Sequence, residues 1–346
     1  MKRELKSARF VKVLSFTMFA FLMPFVILAQ SDKSLSKQNI QKVLDEAYLK
    51  YKDAEGGKNA DYIKELANVD PNILGITLVT TDGTVYNKGD VESKVSTQSI
   101  AKVFVLAQVI EEQGHQAIQD KIGVNATGLA FNSITAIEEH KGKDINPLVN
   151  PGAIAATSLV KGTDSIAKWK SILRMQSEFA GRDLTVNKPV YISEAGDNLR
   201  NQAIAHLLLA YGRMYFDPAQ ATDIYTKECA INVNSKDLAI MAATLANGGK
   251  NPVTKKTVVS PETVMYTLPI MATAGLYDNQ GIWYYNSGLP AKSGVGGGLI
   301  AVCPGKFGIA VISPPLDEYG NSVKAQLIIN YIVEKLDGNP FLIQPK

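Results

Sequence analysis

Ser99 and Lys102 stand three residues apart in STQSIAKVFVL, residues 96–106. On a helix that spacing puts both side chains on one face. A serine hydroxyl is a weak nucleophile until a neighbouring base takes its proton. A lysine can be that base only where burial lowers its pKa enough to leave it neutral. The surrounding pattern supplies such a setting. Ile100, Val103, Phe104, Ala107 and Ile110 recur at helical spacing, and Val103 and Leu106 continue the face of the pair. Thr97 or Ser96 is expected to cap this helix. The first N–H groups of a helix lack intrahelical partners, so here they are available to an oxyanion. Read alone, S-x-x-K also arises by chance, and a lysine on an apolar face can snorkel.

A second candidate is KSGVGGG at residues 292–298. A phosphate-binding loop would open a helix, but the following LIAVC reads as a strand, which rejects a dinucleotide site. The stretch reads instead as an edge strand whose backbone comes close to a ligand, with the N–H of Val295 as a second oxyanion donor. A plain tight turn is the competing reading. Asn150 precedes Pro151-Gly152, and Glu194 and Asn201 flank a loop; each alone reads as a turn, cap or solvated residue. His115, His140 and His206 are scattered, and no metal-ligand spacing occurs. His206, within AIAHLLLAYG, is expected in the core. Cys229 and Cys303 are expected as two separate buried thiols.

These groups need elements to hold them. ILGITLVTTDGTVYNKGD reads as a hairpin around Asp82-Gly83, and GLIAVC-PGK-FGIAVIS as another. SVKAQLIINYIVEKL closes the chain as an amphipathic helix. SKDLAIMAATLANGG is a helix ended by Gly248-Gly249. Strand signals thus sit at both ends of the chain, with helices between. That predicts one sheet built from both ends and a helical lobe inserted in the middle.

The chain has 346 residues, long enough for a large core. It opens with Lys2, Arg3, Lys6, Arg9 and Lys12, then an apolar run from Val13 to Ala29. That layout reads as an export signal, with cleavage expected after Ala29; an uncleaved anchor is the competing reading. Residues 1–29 hold five of the 36 basic residues and one of the 33 acids, so 31 bases face 32 acids in the remainder. The positive balance of the whole chain is no argument for nucleic-acid binding.

Together the motifs resemble the glutaminases of the serine-dependent, β-lactamase-like superfamily. The resemblance covers residues 58–336. It is carried, in order, by ADYIKELA, QSIAKVF, FNS, INPLVNPGA, VYISE with RNQAIAHLL, NVNSKDLAIMAATLANGGKNPVT, GLYD, and GLPAKSGVGGG with ISPPLDEYGNS. It implies an α+β, β-lactamase-like fold: a mixed or antiparallel sheet flanked by helices (about 30–98 and 252–346) and an inserted all-helical lobe (about 99–251). It implies hydrolysis of L-glutamine to L-glutamate and ammonia through a γ-glutamyl ester on Ser99. Lys102 is then the activating partner, and Tyr277 relays a proton. Tyr62, Asn150, Glu194, Asn201, Tyr225, Tyr277 and Val295 fall on the family's substrate-binding positions. Glu194 suits the substrate ammonium. The resemblance implies no metal and no cofactor, and a homodimer or homotetramer; the export signal implies a periplasmic or secreted protein with no membrane partner after cleavage, and the charge balance implies no nucleic-acid partner. The family usually reads NAGA where this chain has NPGA, so Pro151 removes one backbone donor beside Asn150. Two other readings share the scaffold. A penicillin-recognising enzyme would use Lys292-Ser293-Gly294, but no S-D-N occurs. A non-catalytic glutamine-binding protein would not require both Ser99 and Lys102.

Overall fold

The computed structural model describes residues 33–343; the expected export signal, residues 1–29, lies outside them. The strands are β1 (Gly75–Thr80), β2 (Val85–Gly89), β3 (Val95–Ser96), β4 (Thr185–Val186), β5 (Ile231–Val233), β6 (Ala291–Gly294), β7 (Gly298–Cys303) and β8 (Phe307–Ile312). Five of them form an antiparallel sheet in the order β2-β1-β8-β7-β6. Both expected hairpins are present. In the first, Val79 faces Val85 and Gly83 takes φ +95°, a left-handed conformation that suits glycine. In the second, Cys303 faces Phe307 across the Pro304–Lys306 turn. β1 then pairs with β8, from Gly75 against Ile312 to Thr80 against Phe307, which joins the two ends of the chain.

The sheet is covered on both faces, which is why β7 and β8 read as continuous apolar runs and every residue in them is buried. The helices are, in chain order, α1 (Lys37–Tyr51), α2 (Lys64–Ala67), α3 (Ala101–Gln113), α4 (His115–Lys121), α5 (Ile134–Glu139), α6 (Asn150–Leu159) and α7 (Ser165–Ala180). They continue with α8 (Lys188–Gly196), α9 (Leu199–Ala210), α10 (Pro218–Cys229), α11 (Ser235–Ala246), α12 (Pro261–Ala274), α13 (Gln280–Ser287) and α14 (Val323–Lys335). One sheet face packs Ile76, Leu78, Leu299, Ala301, Ile309 and Val311 against α1 and α14. α1 meets it with Ile40, Val43, Leu44 and Ala47, one stripe at helical spacing. The other face packs Val79, Ile300, Val302, Ala310 and Ile312 against α11 and the lobe. Gly308 is required here, because a Cβ on it would lie 2.1 Å from the backbone nitrogen of Ala243. α11 therefore lies directly on β8.

The middle of the chain is helical, with two short strands inside it. β3, β5 and β4 form a ribbon in which Ser96 faces Asn232 and Val186 faces Ile231. This ribbon moors the segment just before Ser99 to the lobe. Thr97 donates to the carbonyl of Ile231 through both its backbone N–H and its hydroxyl, each at 2.8 Å. The expected cap is thereby overturned. Thr97 makes no side-chain cap, and Ser96 Oγ accepts from Gln98 Nε2 at 3.1 Å instead. His206 also departs from expectation. α9 buries Ile204, Ala205 and Leu208 and leaves His206 on its exposed side, its Nδ1 2.8 Å from the carbonyl of Gln202. An all-apolar run does not reveal which face of a helix is covered. Cys229 and Cys303 are buried free thiols.

Candidate active site

Ser99 lies in a short 3-10 turn, Gln98–Ile100, that runs straight into α3. Gln98 enters it with φ +50°, a conformation that strains a residue with a side chain. The turn aims Ser99 at Lys102. Lys102 Nζ donates to Ser99 Oγ at 2.6 Å, and both side chains are buried. α3 is wrapped on all sides, with every residue from Ala101 to Ile110 buried. Burial lowers the pKa of Lys102 from its ordinary value, and Cys229, Glu228 and Glu194 oppose that. No carboxylate pairs with Lys102 among the described residues. The pair is therefore a hydroxyl beside an amine whose burial disfavours its charged form.

The glycine-rich turn between β6 and β7 lies against this segment. A Cβ on Gly294 would lie 2.7 Å from the carbonyl oxygen of Thr97, and one on Gly296 would lie 2.4 Å from that of Ser96. Only glycine allows so close an approach. Val295 sits between them, 8% exposed. Among the described residues, neither the N–H of Ser99 nor that of Val295 donates to another protein atom. Two open backbone donors thus flank the serine.

Tyr277 enters from the loop after α12, with φ +55°. Its hydroxyl is buried and has no hydrogen-bond partner among the described residues. Burial raises its pKa above the ordinary phenol range, while the nearby Ser99 hydroxyl pulls the other way. At neutral pH it is a phenol, able to donate. Two contacts fix its ring: Phe131 at 5.0 Å between centroids, and Lys292 Nζ at 4.0 Å from the ring centroid. Lys292 is itself fully buried and donates to the carbonyls of Gly275 and Ser293, at 2.8 and 3.0 Å.

The expected substrate-binding residues converge on the same place. Asn150 begins α6, and its own N–H donates to the Phe131 carbonyl at 2.8 Å. Asn150 Nδ2 donates to Asn201 Oδ1 at 3.1 Å, and Tyr225 Oη donates to Asn150 Oδ1 at 3.1 Å. The Tyr225 ring lies 5.2 Å from Lys102 Nζ, which links these hydrogen bonds to the Ser99–Lys102 pair. Glu194 on α8 accepts from Gln98 Nε2 at 2.5 Å. Burial pushes its carboxyl up to about 7, against the Gln98 hydrogen bond and the Lys102 charge; Glu65 adds to the rise. Tyr62 is 61% exposed on the bend before α2, and the Glu194 charge reaches its phenol. Its neighbours Ala60, Ile63 and Leu66 pack on Val190 and Val295, which holds the bend over the site.

Gln98, Lys292 and Glu228 also belong to the site and were not among the expected residues. Gln98 carries no periodic signal. Glu228 follows Ala221, Ile224 and Tyr225 at helical spacing, so α10's buried stripe could have revealed it. Among the described residues, no group of three or more His, Cys, Asp or Glu is placed to hold a metal. A separate cleft of 470 Å³ borders α7, but its arginines, Arg174 and Arg182, are already paired with Glu178 and Asp237.

Comparison with known proteins agrees over nearly the whole chain. The family model described as Glutaminase matches residues 57–341. A glutaminase of Colwellia psychrerythraea (strain 34H) is 53% identical over 309 residues, 89% of this chain and 99% of that protein. Glutaminase 1 of Shigella flexneri is 46% identical over 89% of this chain and 99% of its own length. A solved structure described as the probable glutaminase ybaS superposes with a TM-score of 0.88 at 45% identity, covering 89% of this chain and all of that one.

Proposed function

We propose a mechanism from one premise: this chain belongs to the glutaminase family, and it hydrolyses L-glutamine to L-glutamate. The reaction runs through a covalent intermediate on Ser99. Ser99 Oγ attacks the side-chain amide carbon of glutamine as Lys102 Nζ takes the hydroxyl proton. The carbonyl oxygen becomes an oxyanion between the N–H groups of Ser99 and Val295. The C–N bond then breaks, and the amide nitrogen leaves as ammonia with a proton from Lys102, relayed by the Tyr277 hydroxyl. Water attacks the resulting γ-glutamyl ester, Lys102 again accepts a proton, and Ser99 is restored as glutamate departs. The observation that carries this reading is the 2.6 Å contact between a buried Ser99 hydroxyl and a buried lysine with no carboxylate partner among the described residues.

Glu194 receives the substrate ammonium, and Asn150, Asn201, Tyr225 and Tyr62 hold the carboxylate and close the pocket. Ammonia release from L-glutamine by residues 30–346, set beside Ser99→Ala, tests the nucleophile. Release falls at least about a thousandfold in the variant. Equal release by both proteins would move the nucleophile elsewhere.

The first 29 residues act as an export signal, and the mature chain works outside the cytoplasm as a homodimer or homotetramer, with neither nucleic acid nor membrane as partner. The basic run before an apolar run supports the export reading, as does the near-neutral balance left after their removal. Mass spectrometry of the protein recovered outside the cytoplasm finds Gln30 at its N-terminus; an intact Met1 there would contradict cleavage. Light scattering gives the mass of two or four chains, and a monomer at working concentration would contradict the assembly.

A further inference from the structure

Glu228 lies on the buried stripe of α10, beside Cys229 and one turn beyond Tyr225. Only 1% of it is exposed, and no ion pair reaches it among the described residues. Its two carboxyl oxygens lie 3.2 and 3.3 Å from Thr157 Oγ1 on α6. The same hydroxyl is 3.0 Å from the carbonyl oxygen of Ala153. A hydroxyl has one hydrogen, and a carbonyl can only accept. When the Thr157 hydrogen points to Ala153, the carboxyl must donate, and it can do so only as the neutral acid. The opposite assignment would leave a buried carboxylate with a single neutral donor, which is much less favourable.

We propose that Glu228 is a positioning residue for the reaction: held as a neutral acid by Thr157, it denies Lys102 a counter-ion and so leaves that amine free to take the Ser99 proton. The inference rests on the reading of Lys102 as the base. If the Glu228 proton moved to Lys102, the pair would lock the amine as an ammonium; once a rising pH has removed that proton, the Glu228 carboxylate would oppose negative charge gathering at the oxyanion. The link is mutual: the Glu228 charge raises the pKa of Lys102, and the Lys102 charge lowers that of Glu228. Burial pushes the Glu228 carboxyl up to about 8.

The groups around the acid are these. α3 presents Lys102, α6 presents Thr157, and α8 carries Glu194 and Lys188. α7 carries Lys168, Lys170, Arg174 and Glu178, and α9 carries Arg200 and His206. Of all these charges, Lys102 is the one that acts on Glu228. On its own helix, Cys229 is pushed up to about 12 and Tyr225 well above the phenol range, both by burial, so both stay neutral.

The experiment is kcat at saturating glutamine from about pH 7 to about pH 10, for the wild type and Glu228→Gln; kcat reports ionisations within the enzyme–substrate complex. A glutamine amide can still donate to Thr157, so the variant keeps the local bonding. Wild-type kcat falls by up to about tenfold per pH unit once Glu228 ionises, and the variant lacks that fall. The same alkaline fall in both proteins would overturn the proposal. If Ser99→Ala is inactive in the same assay, that result leaves the serine mechanism standing and removes only the role of Glu228. Infrared difference spectra of Glu194→Gln, in which the other raised carboxyl is gone, give a second readout that does not need the Glu228 variant to fold. A protonated-carboxyl stretch is present near pH 7 and lost by about pH 10; its absence near pH 7 would equally overturn the proposal.

Discussion

The starts of α3 and α11 make opposite use of the same backbone groups. At α11, Asn234 Oδ1 accepts from the Asp237 N–H at 3.0 Å, and the Asn234 N–H donates to Asp237 Oδ2 at 2.9 Å. Arg182 Nε then donates to the Asp237 carboxylate at 2.7 Å, which fixes the capping box in place. At α3, Thr97 turns its hydroxyl away to Ile231, Gln98 sits in a strained conformation, and the N–H of Ser99 is left open. The helix that supports the sheet caps its third N–H. The turn that carries the proposed nucleophile leaves the Ser99 N–H open, and ribbon contacts hold it in that state.

Lys102→Met breaks this contrast most severely. It removes the proposed base and lowers kcat by about a thousandfold or more. It also stabilises the protein. Burial lowers the folded-state pKa of Lys102 below the ordinary lysine value. Near neutral pH the unfolded chain therefore binds a proton that the folded chain resists, so the lysine destabilises the fold below its unfolded pKa. Its loss raises Tm by about 2 °C or more, read by calorimetry. A variant both inactive and less stable would show that α3 depends on Lys102 as an ordinary structural residue.

The pH dependence of KM sharpens the contrast from the substrate side. The Glu194 carboxyl is pushed up to about 7 in the free enzyme, so protons compete with the substrate ammonium below that value. KM rises by up to about tenfold per pH unit as the pH falls below 7, while kcat changes less because the bound ammonium holds Glu194 ionised. A KM flat from pH 5 to 7 would take Glu194 out of ammonium recognition.

Asn234→Ala gives the smallest effect. Loss of the cap costs about 1 kcal/mol, read as a lower denaturant midpoint, and leaves kcat unchanged. A fall in kcat larger than the fall in stability would mean that the α11 start also serves the site.

Much of this was readable in the sequence. Both sheet hairpins announced themselves through apolar runs and turn residues at Asp82-Gly83 and Pro304-Gly305. The Ser99–Lys102 pair was visible because three residues is a helical contact distance. The cap of α3 was not, because Thr97 finds its partner in Ile231, 134 residues away. β4 has only two residues, too few to leave a pattern. His206 was misplaced because isolated apolar runs do not say what packs against them. The convergence of Asn150, Asn201 and Tyr225 was carried by resemblance, since hydrogen bonds between distant loops leave no periodic trace.

The pairing of β1 with β8 has a consequence for how the protein is made. β1 and β2 leave the ribosome early, but β8, the second partner of β1, ends at Ile312. At usual synthesis rates that delay is on the order of ten seconds or more. A lone hairpin is marginal in water. The first strands therefore wait, exposed and unpaired, until almost the whole chain exists, and the central sheet completes only after translation has nearly ended.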